Sequence, residues 1–384
     1  MRILHLGDVH LGSGLQYGKD DESGMNTRLR DWLETMVKIK ELAFKQNVDA
    51  VTFSGDAFKD RKPTPQLLSY FIDWLKSFEQ IPVVMIVGNH DLNGDGSIGP
   101  VDLIGSLSLA YVSNSPEILN VPTKSGILQV VTMPTFSKST FLQNDEFKSL
   151  PIDELNALMA QKAGDVIRYL ADQLNPNEKS ILALHGTVAG SVNGSERSMM
   201  MAQEPIFALQ DVALPKFDYV ALAHVHRHQV LPTLPGQPPV VYSGSIERVD
   251  FGEMEPKGVV IADLETHSWE FVDLNTRLFD EVDLNPEEIP DVSGKVVKAK
   301  IKTDIETAKM LSAAQITKQL YANGASFVAG VQIEVERETR ARDAEMTEHM
   351  SIPEAIGRYF EQQPDLAERK ERLMAKVAEL EVVA

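Results

Sequence analysis

Ile3-Leu4-His5-Leu6-Gly7-Asp8-Val9-His10 opens the chain with a short, mostly apolar run that stops abruptly at two side chains with affinity for metals. The same design recurs four times: Ala50 to Phe53 before Asp56, Val83 to Val87 before Asn89, Ile181 to Leu184 before His185, and Tyr219 to Ala223 before His224 and His226. Continuous rather than alternating apolar runs of this length are the pattern of strands buried on both faces. Between the first three lie helix-like stretches, Asn26 to Lys45 and Pro65 to Phe78, giving a β-α-β-α-β order and an α/β fold. All five polar sets then stand at strand ends, where layered α/β proteins collect their ligand sites.

Working outward, 384 residues are too many for one ordinary core, so two or three domains are expected. Hydrophobic content of 43% with 24% charged residues excludes a disordered chain, and no segment reads as membrane-spanning. The first apolar run leads directly into Gly7-Asp8 without a small-residue cleavage site, so it reads as a strand of a cytoplasmic protein. The absence of cysteine excludes disulfides, thiolate metal sites and thiol nucleophiles, leaving any metal to His, Asp, Glu and Asn. A net charge of -19 argues against nonspecific nucleic-acid binding unless positive charge gathers locally.

Further strands are expected at Val240 to Tyr242 and Gly258 to Asp263, after a Pro-rich loop from Pro232 to Pro239. Asp280 to Asp291 is acidic, contains proline and reads as a linker. Beyond it, Lys295 to Lys302 alternates, Glu306 to Tyr321 has helical spacing and Phe327 to Val335 alternates again, a small β-α-β module. Ser351-Ile352-Pro353-Glu354 fits a capping box for a first terminal helix, which Pro364 interrupts; Leu366, Leu373, Val377 and Leu380 stripe a second. This pair can pack on its own chain or dock a partner.

Singly the polar motifs are weak; together they form an ordered set of His, Asp and Asn. At an extended strand end, residues i and i+2 project to the same side, so Asp8 with His10 and His224 with His226 can each grip a metal. Asp56 is the natural bridging carboxylate, Asn89 adds a neutral oxygen and His185 another nitrogen. These seven residues suffice for two cations about 3.5–4 Å apart, with imidazole and carboxylate donors suited to manganese, iron or zinc. Two divalent ions against two carboxylates leave a positive centre that attracts phosphate even on an acidic chain. His90, one residue beyond Asn89, must point elsewhere and can lie over a substrate as general acid, with Asp91 orienting it.

At this point the series resembles the calcineurin-like metallophosphoesterases, whose pattern runs Asp-x-His, Gly-Asp, Gly-Asn-His-Asp/Glu, His and Gly-His-x-His, over residues 1 to about 270. The resemblance implies a four-layer α/β/β/α sandwich. It implies that Asp8, His10, Asp56 and His226 hold one ion and Asp56, Asn89, His185 and His224 the other, with His90 as the catalytic histidine. Tyr242-Ser243-Gly244-Ser245-Ile246-Glu247-Arg248, then Asp250-Phe251-Gly252-Glu253 and Lys257-Gly258, is similar to the SbcD branch of double-strand-break repair nucleases. That branch implies a nuclease domain over 1–278, a small α+β DNA-capping domain over 279–345 and a C-terminal helical segment over 346–384 that binds an SMC-like ATPase subunit. It also implies two manganese ions, double-strand exonuclease and single-strand endonuclease activity, and a homodimer formed through helices in the first 150 residues.

Two positions depart from the branch: Lys59 stands where a histidine or aspartate is usual, and Ala223 replaces the glycine before His-x-His. Lys59, Arg61, Lys62, Arg197, Arg227 and Arg248 lie near motif residues and are candidate DNA contacts, the alternative being solvated surface charge. Competing functions are a phosphodiesterase for small phosphoesters or cyclic nucleotides, the cyclic-nucleotide enzymes usually ending near residue 270, and a non-catalytic scaffold, which typically loses ligands.

Overall fold

The computed structural model describes residues 1–92, 98–136, 138, 147–192, 194, 204–285, 290–335, 351–362, 364–367 and 369–381. Contacts divide the chain into two compact units, Met1–Ile301 with Ser312–Ile333, and Lys302–Leu311 with Glu334–Ala384.

In the larger unit the first sheet contains β1 (Arg2–Leu6), β2 (Ala50–Phe53), β3 (Val83–Ile86) and β4 (Tyr111–Ser113) in parallel succession. The second is built from β5 (Glu117–Thr123), β6 (Gly126–Met133), β7 (Lys179–His185), β10 (Tyr219–Ala223), β11 (Gln229–Leu231) and β12 (Val240–Tyr242), with β6, β7, β10 and β12 parallel. A two-stranded ribbon, β8 (Thr187–Val188) with β9 (Ile206–Phe207), follows His185. The chain then returns to the first sheet, where β13 (Gly258–Asp263) pairs antiparallel with β1 and β14 (Ser268–Asp273) closes the edge. Strand order is β14-β13-β1-β2-β3-β4 in one sheet and β11-β12-β10-β7-β6-β5 in the other.

Three helices attend the first sheet: α1 (Thr27–Lys45), α2 (Pro65–Lys76) and α3 (Pro100–Ser106). Helix α1 starts where the Asn26 side chain accepts the Arg28 and Leu29 N–H groups, and it buries Leu29, Trp32, Met36, Ile39 and Ala43 as one stripe. Helix α2 is capped by Thr64 with Pro65 in its first turn, and buries Phe71, Trp74 and Leu75. Against the second sheet lie α4 (Ile152–Ala171) and the short α5 (Leu209–Val212). A third apolar cluster joins the sheets, with Ile3, Ala50, Val84 and Val260 from one and Val130, Ile181, Ala221 and Val241 from the other. Each is fully buried, worth about 1.5–3 kcal/mol for each valine or isoleucine, so the layers are α/β/β/α.

Two elements differ from the sequence reading. The stretch read as a linker begins with β15 (Phe279–Asp283), parallel to β16 (Val296–Thr303). Phe279 is buried, and Glu281 pairs with Lys298 and Lys300, so cross-strand ion pairs offset its acidity. Between β16 and β17 (Phe327–Val335), the one expected helix is two, α6 (Ile305–Met310) and α7 (Ala313–Ala322). Leu311 is extended and the Ser312 hydroxyl accepts the Gln315 N–H, starting a new helix there. In the smaller unit α8 (Ile352–Gln362), α9 (Pro364–Ala367) and α10 (Lys370–Glu381) follow Ser351, whose N–H and hydroxyl both donate to Glu354.

Candidate metal centre

Parallel register brings the motif turns together. Leu6 lies beside Phe53, so the two turns leave the first sheet side by side, and the Asp8 N–H donates to Gly55 and the His10 N–H to Asp56, each at 3.0 Å. In the second sheet His185 pairs with Ala223, immediately before His224. Asp8, His10, Asp56 and His224 all hold left-handed backbone, with φ of 50°, 45°, 60° and 101°. Side chains rarely adopt this region, so the surrounding structure must hold these residues in it. Gly55, at φ 103°, has no such latitude: a Cβ there would lie 2.5 Å from His185 Nδ1.

Asp8, His10 and His226 bring potential ligand atoms within 4.8 Å of one another, as do Asp8, Asp56 and His185, and likewise His10, Asp56 and His90. Asp56 Oδ2 stands between two imidazoles, 3.5 Å from His10 Nε2 and 3.4 Å from His185 Nε2. Asn89 Oδ1 lies 3.0 Å from both His185 Nε2 and His224 Nδ1. All seven residues read from the sequence as metal donors therefore meet at the C-terminal ends of the parallel strands of the two sheets.

Tautomers show whether a cation fits. His185 Nδ1 donates to the Ser54 carbonyl at 2.7 Å, which turns its Nε2 lone pair inward. His226 Nδ1 donates to Glu253 at 2.7 Å, leaving its Nε2 lone pair 3.0 Å from His10 Nε2. His224 is reversed, with Nε2 bound to Glu204 at 2.8 Å and Nδ1 facing Asn89. Inward lone pairs beside two buried carboxylates are a donor set for divalent cations.

Charge points the same way. Burial disfavours the His185 imidazolium, but Asp56 and then Asp8 outweigh it, and the pKa is pushed up to about 9. Burial likewise raises Asp56, but His185, His10 and His90 more than offset it and hold its carboxyl below the usual range. Burial wins at Asp8, whose carboxyl is raised, and at His10, which is driven well below the ordinary imidazole value. A buried anionic centre that draws a proton onto an imidazole also draws a metal cation in its place.

His90 is half-buried at the rim. Its N–H donates to Asp56 Oδ1 at 2.8 Å, its ring stands edge-on to His10, and its Nδ1 donates to the Lys59 carbonyl at 2.8 Å. Asp91, expected to orient His90, does not. Its buried carboxylate accepts the N–H groups of Asp56, Ala57 and Gly88, at 2.8, 3.0 and 3.0 Å, and so ties two ligand turns together. Burial, then the charge of Asp56, push this carboxyl up to about 7.

Of the candidate DNA contacts, Lys59, Arg61 and Lys62 are exposed in the turn after β2, and Arg227 is exposed beside His226. Arg197 lies outside the described residues. Arg248 is a correction: it is buried, and its guanidinium donates to the carbonyls of Glu253 and Glu255 and to Thr276 Oγ1, so it fastens the loop after β12 and does not face a substrate.

Two carboxylates escape the sequence reading. Glu253 stands within the Asp250-to-Glu253 block, but nothing there assigns it to His226; Glu204, on His224, has no local signal at all. Ala223 also finds its reason. A Cβ added at Gly7 would lie 2.4 Å from the Ala223 Cβ, so the glycine that spares this crossing stands on β1's side.

The calcineurin-like phosphoesterase family model matches residues 1–228. The chain is 26% identical over 337 residues to the SbcD subunit of the SbcCD nuclease from Staphylococcus epidermidis, covering 84% of each chain. It is 25% identical over 399 residues to the SbcD subunit of the same nuclease from Bacillus subtilis, covering 99% of this chain and 97% of that one. Against the DNA double-strand break repair protein Mre11 of Archaeoglobus fulgidus the identity is 27% over 257 residues, 66% of this chain and 52% of that one. With more than half its length matched by that one family, the chain belongs to the calcineurin-like phosphoesterases and is a metal-dependent hydrolase of phosphoester bonds.

Proposed function

We propose that the protein is a two-metal DNA nuclease, cutting duplex ends exonucleolytically and single strands endonucleolytically, in the manner of SbcD. Asp8, His10, Asp56 and His226 would hold one ion and Asp56, Asn89, His185 and His224 the other, both manganese. Such a pair, when bound, activates a water for in-line attack on phosphorus and screens the charge that develops there. His90, its Nδ1–H committed to the Lys59 carbonyl, presents Nε2 to the substrate, and in the imidazolium form that nitrogen would give its proton to the leaving oxygen and return to a lone pair. Lys59, Arg61, Lys62 and Arg227 would take neighbouring phosphates and offset the acidity of the chain as a whole.

The observation that carries phosphodiester chemistry is the convergence of seven donors with His90 at the rim. DNA as substrate rests on the relatives named as SbcCD nuclease subunits, one of which aligns over 99% of this chain, including the residues past 270 that a small-substrate enzyme would not need. Residues 279–345 are assigned to DNA contact and 346–384 to an SbcC-like ATPase, with a cytoplasmic homodimer formed through helices in the first 150 residues. The test is a manganese-dependent assay on labelled linear duplex and single-stranded DNA, alone and with the ATPase. Cleavage of small phosphoesters or cyclic nucleotides, with none of DNA under any of these conditions, overturns the substrate.

A further inference from the structure

The two halves of the donor set are supported differently. Behind His226 stands Glu253, which is 1% exposed. One of its oxygens accepts from His226 Nδ1; the other accepts the Val249 N–H at 2.8 Å and lies 3.2 Å from the Nζ of Lys257, itself buried. Lys257 also donates to the His226 carbonyl, so the histidine is gripped at ring and backbone. Behind His224 stands Glu204, its side chain 25% exposed and its other oxygen held by the Thr187 hydroxyl on β8. A carboxylate on the outer nitrogen of a ligating imidazole fixes its tautomer and strengthens the inner nitrogen as a donor.

We propose that Glu253 and Glu204 are positioning residues for separate ions. Glu253, acting through His226, makes the Asp8-His10-Asp56-His226 position tight. Glu204, acting through His224, supports the Asp56-Asn89-His185-His224 position on a softer mount, which makes it the weaker and more readily exchanged of the two. This rests on the two-metal reading above and refines it.

Calorimetric titration of the full apo chain with manganese alone tests it. The wild type should bind two ions with separable affinities. Glu204→Gln should weaken the lower-affinity ion about 10–100-fold and leave the other within twofold, and Glu253→Gln should do the converse. Asn89→Ala, which removes a donor from one position only, supplies the mapping: in that background Glu204→Gln should change the remaining ion little, while Glu253→Gln still weakens it. Apo melting temperatures separate this from unfolding. Should Glu253→Gln fail to fold, Glu253→Asp keeps the charge near Lys257 while withdrawing it from His226, and must show the same selective loss. If both substitutions weaken the same ion, or neither moves either affinity beyond twofold, the proposal is wrong. If the wild type binds fewer than two ions, the two-metal reading itself fails.

Discussion

His90 shows how much a single neighbour decides. Next to Asn89 in sequence, it reaches His10 and Asp56 from the rim of the cluster, and its ring is aimed by a carbonyl thirty-one residues earlier in the chain. His90→Ala should lower kcat about 10²–10⁴-fold with two manganese ions still bound by calorimetry. A matching fall in metal stoichiometry would make His90 a ligand instead. At this scale the convergence of the seven candidate donors was legible because their types and order are restrictive, and the parallel register brings them together. Orientation was not legible. Asp91 sits beside His90 in sequence yet spends its carboxylate on three backbone N–H groups, a choice that depends on where the Asp56 turn lies. Arg248 differs from its expected role for the same reason: proximity in sequence to a motif does not say which side of a loop faces solvent.

Among the elements, the buried strands were the most readable, since runs apolar on both faces have few alternatives, and β1, β2 and β10 lie where their runs predict. Pairing between distant strands was not, because no local pattern says that β13 returns to β1 or that β1 and β10 nearly touch. The contact of Gly7 with Ala223 gives that crossing a test. Gly7→Ala should cost about 1–3 kcal/mol of stability, as overpacking does. Adding Ala223→Gly should recover part of it, and urea denaturation of the four combinations measures the coupling; strict additivity would mean that the two strands part freely here.

For the molecule as a whole, His5 between the sheets reports on the seam. It is fully buried, its Nδ1 lies 3.0 Å from the Tyr219 hydroxyl, and burial followed by repulsion from His228 brings its pKa down to about 3 from 6.5. Because the folded value lies below the unfolded one, the unfolded chain takes up the proton first as pH falls. The contribution of His5 is therefore complete above pH 6.5 and is lost progressively toward pH 3, by up to about 1.4 kcal/mol per pH unit. Denaturation midpoints at pH 7 and pH 5 should converge more closely for His5→Phe than for the wild type; equal differences would mean that water reaches the seam.

Strand β1 has a further consequence, for synthesis on the ribosome. It lies between β2, some fifty residues later, and β13, more than two hundred and fifty residues later. As the chain emerges from its N-terminus, β1 and β2 can pair early, but the other flank of β1 stays an open edge until Asp263 has been made. His224 and His226 also arrive late, so a nascent chain displays Asp8, His10 and Asp56 without the partners that complete their cluster. The protein thus passes much of its elongation with an unpaired strand and a half-formed cluster side by side, and an open edge of that kind is a template for wrong pairing.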